Sequence, residues 1–271
     1  MKNTLFLLFI LLSGFLCSQN KEFLYEYKFI PDSADKKNVR TELMILNVQK
    51  EKSDFYSAEQ YAIDSTMMAE TKLGKMAMPP EKETVRESVT KYHNSDQILY
   101  TTFIMYDKYK VKQDIKLQWK LQNEFSKILN YNVQKATTEF GGRQWTAWFS
   151  KDLPIQDGPY KFKGLPGLIL KLEDSHQNHI FELKGIRSGN DPFIYPDLKQ
   201  YREFEMNYSQ FVKKFKNYRK NPAADLVGRI PDQRDANGTL RTSDEIIREI
   251  NKISLERLAK DNNLIEIDLL K

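Results

Sequence analysis

The sequence predicts a mainly β protein: an antiparallel curved sheet, sandwich or half-barrel, with C-terminal helices packed on it in an α+β arrangement. Three observations carry this. Apolar and polar residues alternate with period two through much of residues 19–190. Short polar connections rich in Gly, Asn and Asp separate these runs. Helical spacing dominates only beyond residue 190.

Taken in order, Tyr25, Tyr27 and Phe29 alternate with Glu26 and Lys28 and read as a half-buried strand. Pro31 to Asn38 is a polar turn, and Leu43–Val48 and Asp54–Ser57 read as strands. Ala58–Lys72 can form a helix, with Ile63 and Met67 four apart. Lys75–Asn94 is polar and contains Pro79-Pro80, so it reads as an exposed loop or hairpin arm. Ile98, Tyr100, Thr102, Ile104 and Tyr106 share one parity. Trp119, Leu121, Phe125 and Ile128–Gln134 continue the β pattern, and Gly141-Gly142 falls where a hairpin turn is needed. Gln144–Phe149, Leu168–Leu172 and Ile180–Ile186 complete a set of eight to ten strands. Ser209 is placed to cap a helix carrying Phe211, Val212, Phe215 and Tyr218, and Thr242 to Glu245 is a capping box for another.

Residues 1–18 have the pattern of a secretory signal peptide: Lys2, then an apolar run from Leu5 to Leu12, too short to span a bilayer. Cys17 offers lipidation as a second route, but Leu16 before it is not the small residue a lipobox needs, so soluble export to the periplasm or outer envelope is favoured. No later segment reaches spanning length, so the mature chain is expected to lack a transmembrane segment. Cys17 is the one cysteine, which excludes an internal disulfide framework. The formal net charge of +5 is too small to argue for nucleic acid. The expected organisation is a signal peptide at 1–18, a β-rich domain at 19–190, and a helical part at 191–271 packed on the same domain.

The densest cluster of unusual residues runs from Gly142 to Asp174. It contains Gly142-Arg143-Gln144-Trp145-Thr146-Ala147-Trp148, then Gly158-Pro159-Tyr160-Lys161-Phe162, then Gly164-Leu165-Pro166-Gly167-Leu168-Ile169. In order and spacing these segments resemble the GLPGLI family of exported bacterial proteins. The resemblance implies an envelope location and a β-rich domain, and it supplies no reaction. Members often carry a Cys inside the stretch from Tyr131 to Ala136; Val133 stands in that stretch here, and no role tied to a thiol transfers.

Read physically, Gly158, Pro159, Gly164, Leu165, Pro166, Gly167, Leu168 and Ile169 are a structural motif. Pro166-Gly167 suits the centre of a type II turn leading into a buried strand. A second reading has Arg143, Trp145, Trp148, Tyr160 and Phe162 lining a groove for an apolar ligand, a glycan or a protein partner.

No catalytic set is evident. The Gly164-to-Gly167 loop leads into a strand rather than a helix, so it does not cradle phosphate. His93, His176 and His179 lack metal-ligand spacing on a helix, so neither a metal nor a cofactor is expected. Asp152 and Asp157 flank Pro154 as turn caps. These absences weigh against an enzyme and favour a non-catalytic envelope binding protein. The alternative is an exported hydrolase with a dispersed site, such as His176 or His179 with Glu173 and Asp174.

Overall fold

The structure is a computed structural model and describes residues 20–75, 78, 80, 83–189, 192–234 and 236–271. The expected signal peptide lies outside the described residues. The strands are β1 (Lys21–Phe29), β2 (Arg40–Val48), β3 (Lys52–Ser57), β4 (Ser88–Tyr92), β5 (Gln97–Ile104), β6 (Asp107–Asp114), β7 (Lys120–Ile128), β8 (Tyr131–Phe140), β9 (Arg143–Ser150), β10 (Leu168–Asp174), β11 (His179–Ser188) and β12 (Arg202–Asn207). All belong to one sheet in the order β12-β6-β5-β4-β3-β2-β1-β11-β10-β9-β8-β7. Every pairing is antiparallel except that of β12 with β6. The helices are α1 (Ala58–Lys72), α2 (Tyr208–Lys220) and α3 (Ser243–Ala259).

The period-two pattern translates directly into faces. On β1, Phe23, Tyr25 and Tyr27 enter the main core, joined by Met44 and Leu46 of β2, Phe55 of β3 and Phe181 of β11. Tyr27 stacks on Phe181 with ring centres 4.1 Å apart. Ile45 and Tyr56 point the other way into a small aromatic cluster with Phe193. Gly141 and Gly142, at φ +61° and +78°, make the β8–β9 turn, as a tight hairpin requires.

Three elements depart from the sequence reading. Ser88–Tyr92 is a strand inside the polar stretch, with Val89 and Lys91 buried on one face. The C-terminal part, expected to be helical, also contributes β12 to the sheet. The cap of α2 is Asn207, whose side chain accepts from the Gln210 N–H in a capping box, one turn edge ahead of Ser209. The Thr242 capping box stands as read.

The sheet is rolled. Lys161 Nζ lies 4.2 Å from the ring centre of Tyr100 on β5, while the next residue, Phe162, sits 4.8 Å from the Trp145 ring on β9. In a flat sheet those strands would be about 33 Å apart, seven spacings of about 4.8 Å. Residues 115–119 alone connect β6 to β7. That connection reaches about 20 Å, against about 48 Å between the same strands laid flat.

Loop 151–167 fills the interior, and its backbone is satisfied locally. Ile155, Asp157 and Gly167 each donate their N–H to the carbonyl two residues back, at 2.7, 2.8 and 2.8 Å. These are three-residue turns centred on Pro154, Gln156 and Pro166. The expected type II turn at Pro166-Gly167 is therefore absent. Leu168 N–H, which would close it, instead donates to Leu153 O at 2.9 Å.

Gly167 is required by a close approach. A Cβ there would stand 2.0 Å from the carbonyl oxygen of Ser150, and φ is +154°. Gly158 is similarly pressed on Ile169, with 2.8 Å to a Cβ. Beyond it, Leu168, Ile169 and Leu170 are all fully buried, because a bulge between Ile169 and Lys171 sits where the sheet meets the loop.

Two stability effects should follow. Leu170→Ala should lower the unfolding free energy by about 2–5 kcal/mol, since it removes a fully buried side chain. Gly167→Ala should be destabilising despite its small size, because the clash is with backbone that cannot yield. Denaturant titrations of both variants check this, and a Gly167→Ala protein as stable as the parent would contradict the packing described.

Candidate functional site

Three nodes of buried charge organise the interior. In the first, Lys91 on β4 pairs with Asp157 at 2.5 Å and donates to Gly158 O, while Ser53 on β3 donates to the same carboxylate. Burial pushes the Lys91 amine below the ordinary lysine range, partly offset by Asp157. This ties the loop to the sheet and leaves no free face on Ser53.

In the second node, Lys161 pairs with Glu266 at 2.5 Å, both side chains 3 % exposed or less. Tyr160 and Tyr208 hydroxyls also donate to Glu266, at 2.6 and 2.7 Å. Lys161 donates further to Gln113 Oε1 at 2.9 Å. Tyr160 reaches this position with φ +52°, a strained conformation for a bulky residue.

The third node joins the C-terminal segment to β9–β11. Arg143 pairs with Asp174 at 3.0 Å and donates to Leu264 O and to Asn263 Oδ1. His179 lies beside it, 2 % exposed. Its Nε2 is 2.8 Å from Asn263 O, which can only accept, so Nε2 carries the proton. Nδ1 then accepts from the Tyr27 hydroxyl at 2.8 Å. Burial first, and the Arg143 charge second, push His179 down to about 4. Asp174 accepts from the His179 backbone N–H, not from the ring.

The structure thus separates the sequence candidates. Trp145 and Phe162 pack together in the core, 1 % and 0 % exposed. Tyr160 turns instead to Tyr100 and Glu266. Trp148 has the opposite parity on β9 and is half-buried. Arg143 borders a depression of about 330 Å³ at the β8–β9 turn, with Glu139 and Gln144. The five are not brought to one surface.

The dispersed hydrolase set does not assemble either. His176 is exposed beside Ser175, His93 contacts Lys50 O, and both ring nitrogens of His179 are committed. Asp152 accepts from Asn132 N–H, consistent with a turn role. Among the described residues, no group of three or more His, Cys, Asp or Glu is arranged to hold a metal. Nor is any helix among them long and apolar enough to cross a membrane.

Sequence reading missed Glu87. Two residues ahead of Val89 and four ahead of Lys91, it shares their inward parity on the line of β4. Its charge acts on Tyr27, Tyr100 and Tyr160, raising the pKa of each. Burial raises its carboxyl above the ordinary glutamate range, and Asp261 and Glu42 add to the effect. The residue as a whole is half-buried. Glu42, whose charge acts on Glu87, accepts from Val85 N–H at 2.9 Å and from the Ser57 hydroxyl. The signal that could have found Glu87 was the alternation Glu87, Val89, Lys91.

Comparison with known proteins adds fold and little sequence. A protein-family model described as a protein of unknown function (Porph_ging) matches residues 141–171, the stretch holding β9, the loop and the start of β10. No curated protein matches in sequence. Among solved structures, the chain is similar to PNGF-II in one crystal form, with TM-score 0.52 and 16% identity, covering 73% of this chain and 33% of that one. A second crystal form gives TM-score 0.49 and 16% identity, covering 72% and 32%. The chain therefore spans about a third of PNGF-II, a hydrolytic enzyme. This corrects the expectation that the chain is not an enzyme. That expectation rested on the lack of a catalytic motif, and the fold recurs within a hydrolase whose sequence is barely related.

The third node predicts a pH dependence. His179 is neutral when folded and near 6.5 when unfolded, so the unfolded chain binds more protons between about 4 and 6.5. The stabilisation is complete above about 6.5 and is lost as pH falls toward 4, to a total of about 3 kcal/mol at most. Urea unfolding from pH 7 to pH 4 should show this slope. In His179→Gln, which can keep the bond to Asn263 O, that component of the slope should vanish.

Proposed function

We propose that this chain is an exported hydrolase whose general acid is Glu87, acting where the chain enters β4. The observation that carries the reading is that Glu87, on the inward row of β4, has its carboxyl raised by burial while the residue as a whole is only half-buried. A carboxyl whose pKa burial raises is suited to donate to a leaving nitrogen or oxygen as an amide or glycosidic bond breaks. Glu42 supplies a second carboxylate, held by Val85 N–H and the Ser57 hydroxyl. The phenols of Tyr27, Tyr100 and Tyr160 stay neutral, since burial raises each of them well above the usual range. All three are buried in the core, so they set the apolar surroundings of the interior and do not form a surface for substrate.

The likeness of fold to part of PNGF-II supports hydrolysis as the reaction class. Export belongs to the same proposal. It is supported by the leader pattern at residues 1–18 and by the resemblance of Gly164–Ile169 to the GLPGLI signature, which favours the periplasm or outer envelope.

The test is activity profiling of the mature chain on amide, glycoside and ester substrates. Glu87→Gln should reduce any hydrolysis found by roughly 10²–10⁴-fold while leaving the fold intact. Because the acid form is the working form, kcat/KM should fall as pH rises through the Glu87 pKa. Full activity in a folded Glu87→Gln protein would overturn the assignment.

A further inference from the structure

The second buried node holds three groups in the arrangement of an acyl transfer. Lys161 Nζ is a buried amine 2.9 Å from the amide oxygen of Gln113 on β6. Glu266 is bonded to the same nitrogen at 2.5 Å. The rings of Tyr100, Tyr160 and Tyr208 stand 4.2, 5.3 and 5.3 Å from Nζ, so the amine is enclosed by aromatic walls rather than water. We propose that Lys161 and Gln113 join in an intramolecular isopeptide bond, with Glu266 as the proton shuttle.

The chemistry balances without a co-reactant. Lys161 passes a proton to Glu266 across their hydrogen bond and becomes a neutral amine. Nζ attacks Cδ of Gln113, forming the new C–N bond. Glu266 takes a proton from the attacking nitrogen and delivers one to the departing NH₂ group, so the old C–N bond breaks and ammonia leaves. The product is a secondary amide; the ammonia carries off the remaining proton as ammonium, and Glu266 returns to the carboxylate.

Burial favours the first step, since it pushes the Lys161 amine below the ordinary lysine range. Glu266 is held on the ionised side by Lys161 and the two phenols, so the neutral pair is a minor state through which the reaction passes. One reaction per lifetime of the protein needs no more than that. Fixed geometry replaces the bimolecular encounter that makes amide exchange slow in water.

The bond would serve the fold. The sequence has no cysteine beyond Cys17, so the chain that follows it has no disulfide. The link would fasten the interior loop to β6, the strand next to the edge strand β12.

Mass spectrometry decides it. The folded chain should weigh about 17 Da less than its sequence, the mass of ammonia. Cyclisation of an N-terminal Gln19 loses the same mass, so position is the criterion. Tryptic digestion should yield a branched peptide joining residues 113–116 to 152–163, with no cleavage after Lys161. Gln113→Ala, at a half-buried position that the fold tolerates, should abolish the branch and restore cleavage after Lys161. Glu266→Gln should leave the two residues unlinked. An unshifted mass, a loss confined to Gln19, or cleavage after Lys161 in the folded parent chain would each overturn the proposal.

Discussion

A sheet of this width rolled on itself encloses a space that its own side chains cannot fill, and loop 151–167 fills it. That requirement explains most of what surrounds the loop. An interior segment must satisfy its backbone without a ladder, and this one does so with three-residue turns at Pro154, Gln156 and Pro166 and with bonds from Leu168 and Ile169 back onto the loop. It must lie close to the strands, which is why Gly167 abuts Ser150 O and Gly158 abuts Ile169. It must also be held at one position rather than slide. Lys91 with Asp157 and Lys161 with Glu266 do this at separate points along the loop.

Those ion pairs are not simple gains in stability. Desolvating two charges costs several kcal/mol, which mutual attraction only partly offsets, and an apolar pair of equal volume can be as stable. What they give is uniqueness. An apolar loop in an aromatic interior could settle in several registers, whereas a buried ammonium has one acceptable partner. Each node is completed by further donors: Ser53 at Asp157, and Tyr160 and Tyr208 at Glu266. The strain of Tyr160 at φ +52° is the local cost of aiming its hydroxyl at that carboxylate.

The architecture was legible wherever a strand is amphipathic over its length. Tyr25, Tyr27 and Phe29 announce β1, and Gly141-Gly142 announces the β8–β9 hairpin, because period and turn chemistry are local properties. It was illegible where a strand is short and its inward residues are polar. β4 buries Lys91 behind Val89, and composition alone reads that segment as solvent-facing. β12 was hidden for a different reason: it pairs in parallel with β6, and no hairpin turn marks such a contact. Pro166-Gly167 misled because a dipeptide fixes which conformations are open, while Ser150 and Leu153 across the loop choose between them.

The candidate site lies in the same blind spot. Arg143, Trp145, Tyr160 and Phe162 stood out as unusual residues, and they are unusual because they build the plug and its latch to Asn263, Leu264 and Glu266. The polar side-chain atoms of Arg143, Trp145 and Tyr160 are spent on Asp174, Asn263, Leu264, Phe140 and Glu266. The histidines are likewise committed or remote, and His179 is neutral with both nitrogens bonded. Chemistry needs a polar group that structure has left uncommitted and solvent can still reach. Glu87, proposed for that role, extends the inward row of Val89 and Lys91 past the end of β4, where burial raises its carboxyl despite its own backbone N–H and the charge of Arg86. The proposal rests on its position just before a short polar strand. No residue type or spacing motif encodes that position, and for this reason the absence of a motif was poor evidence against catalysis.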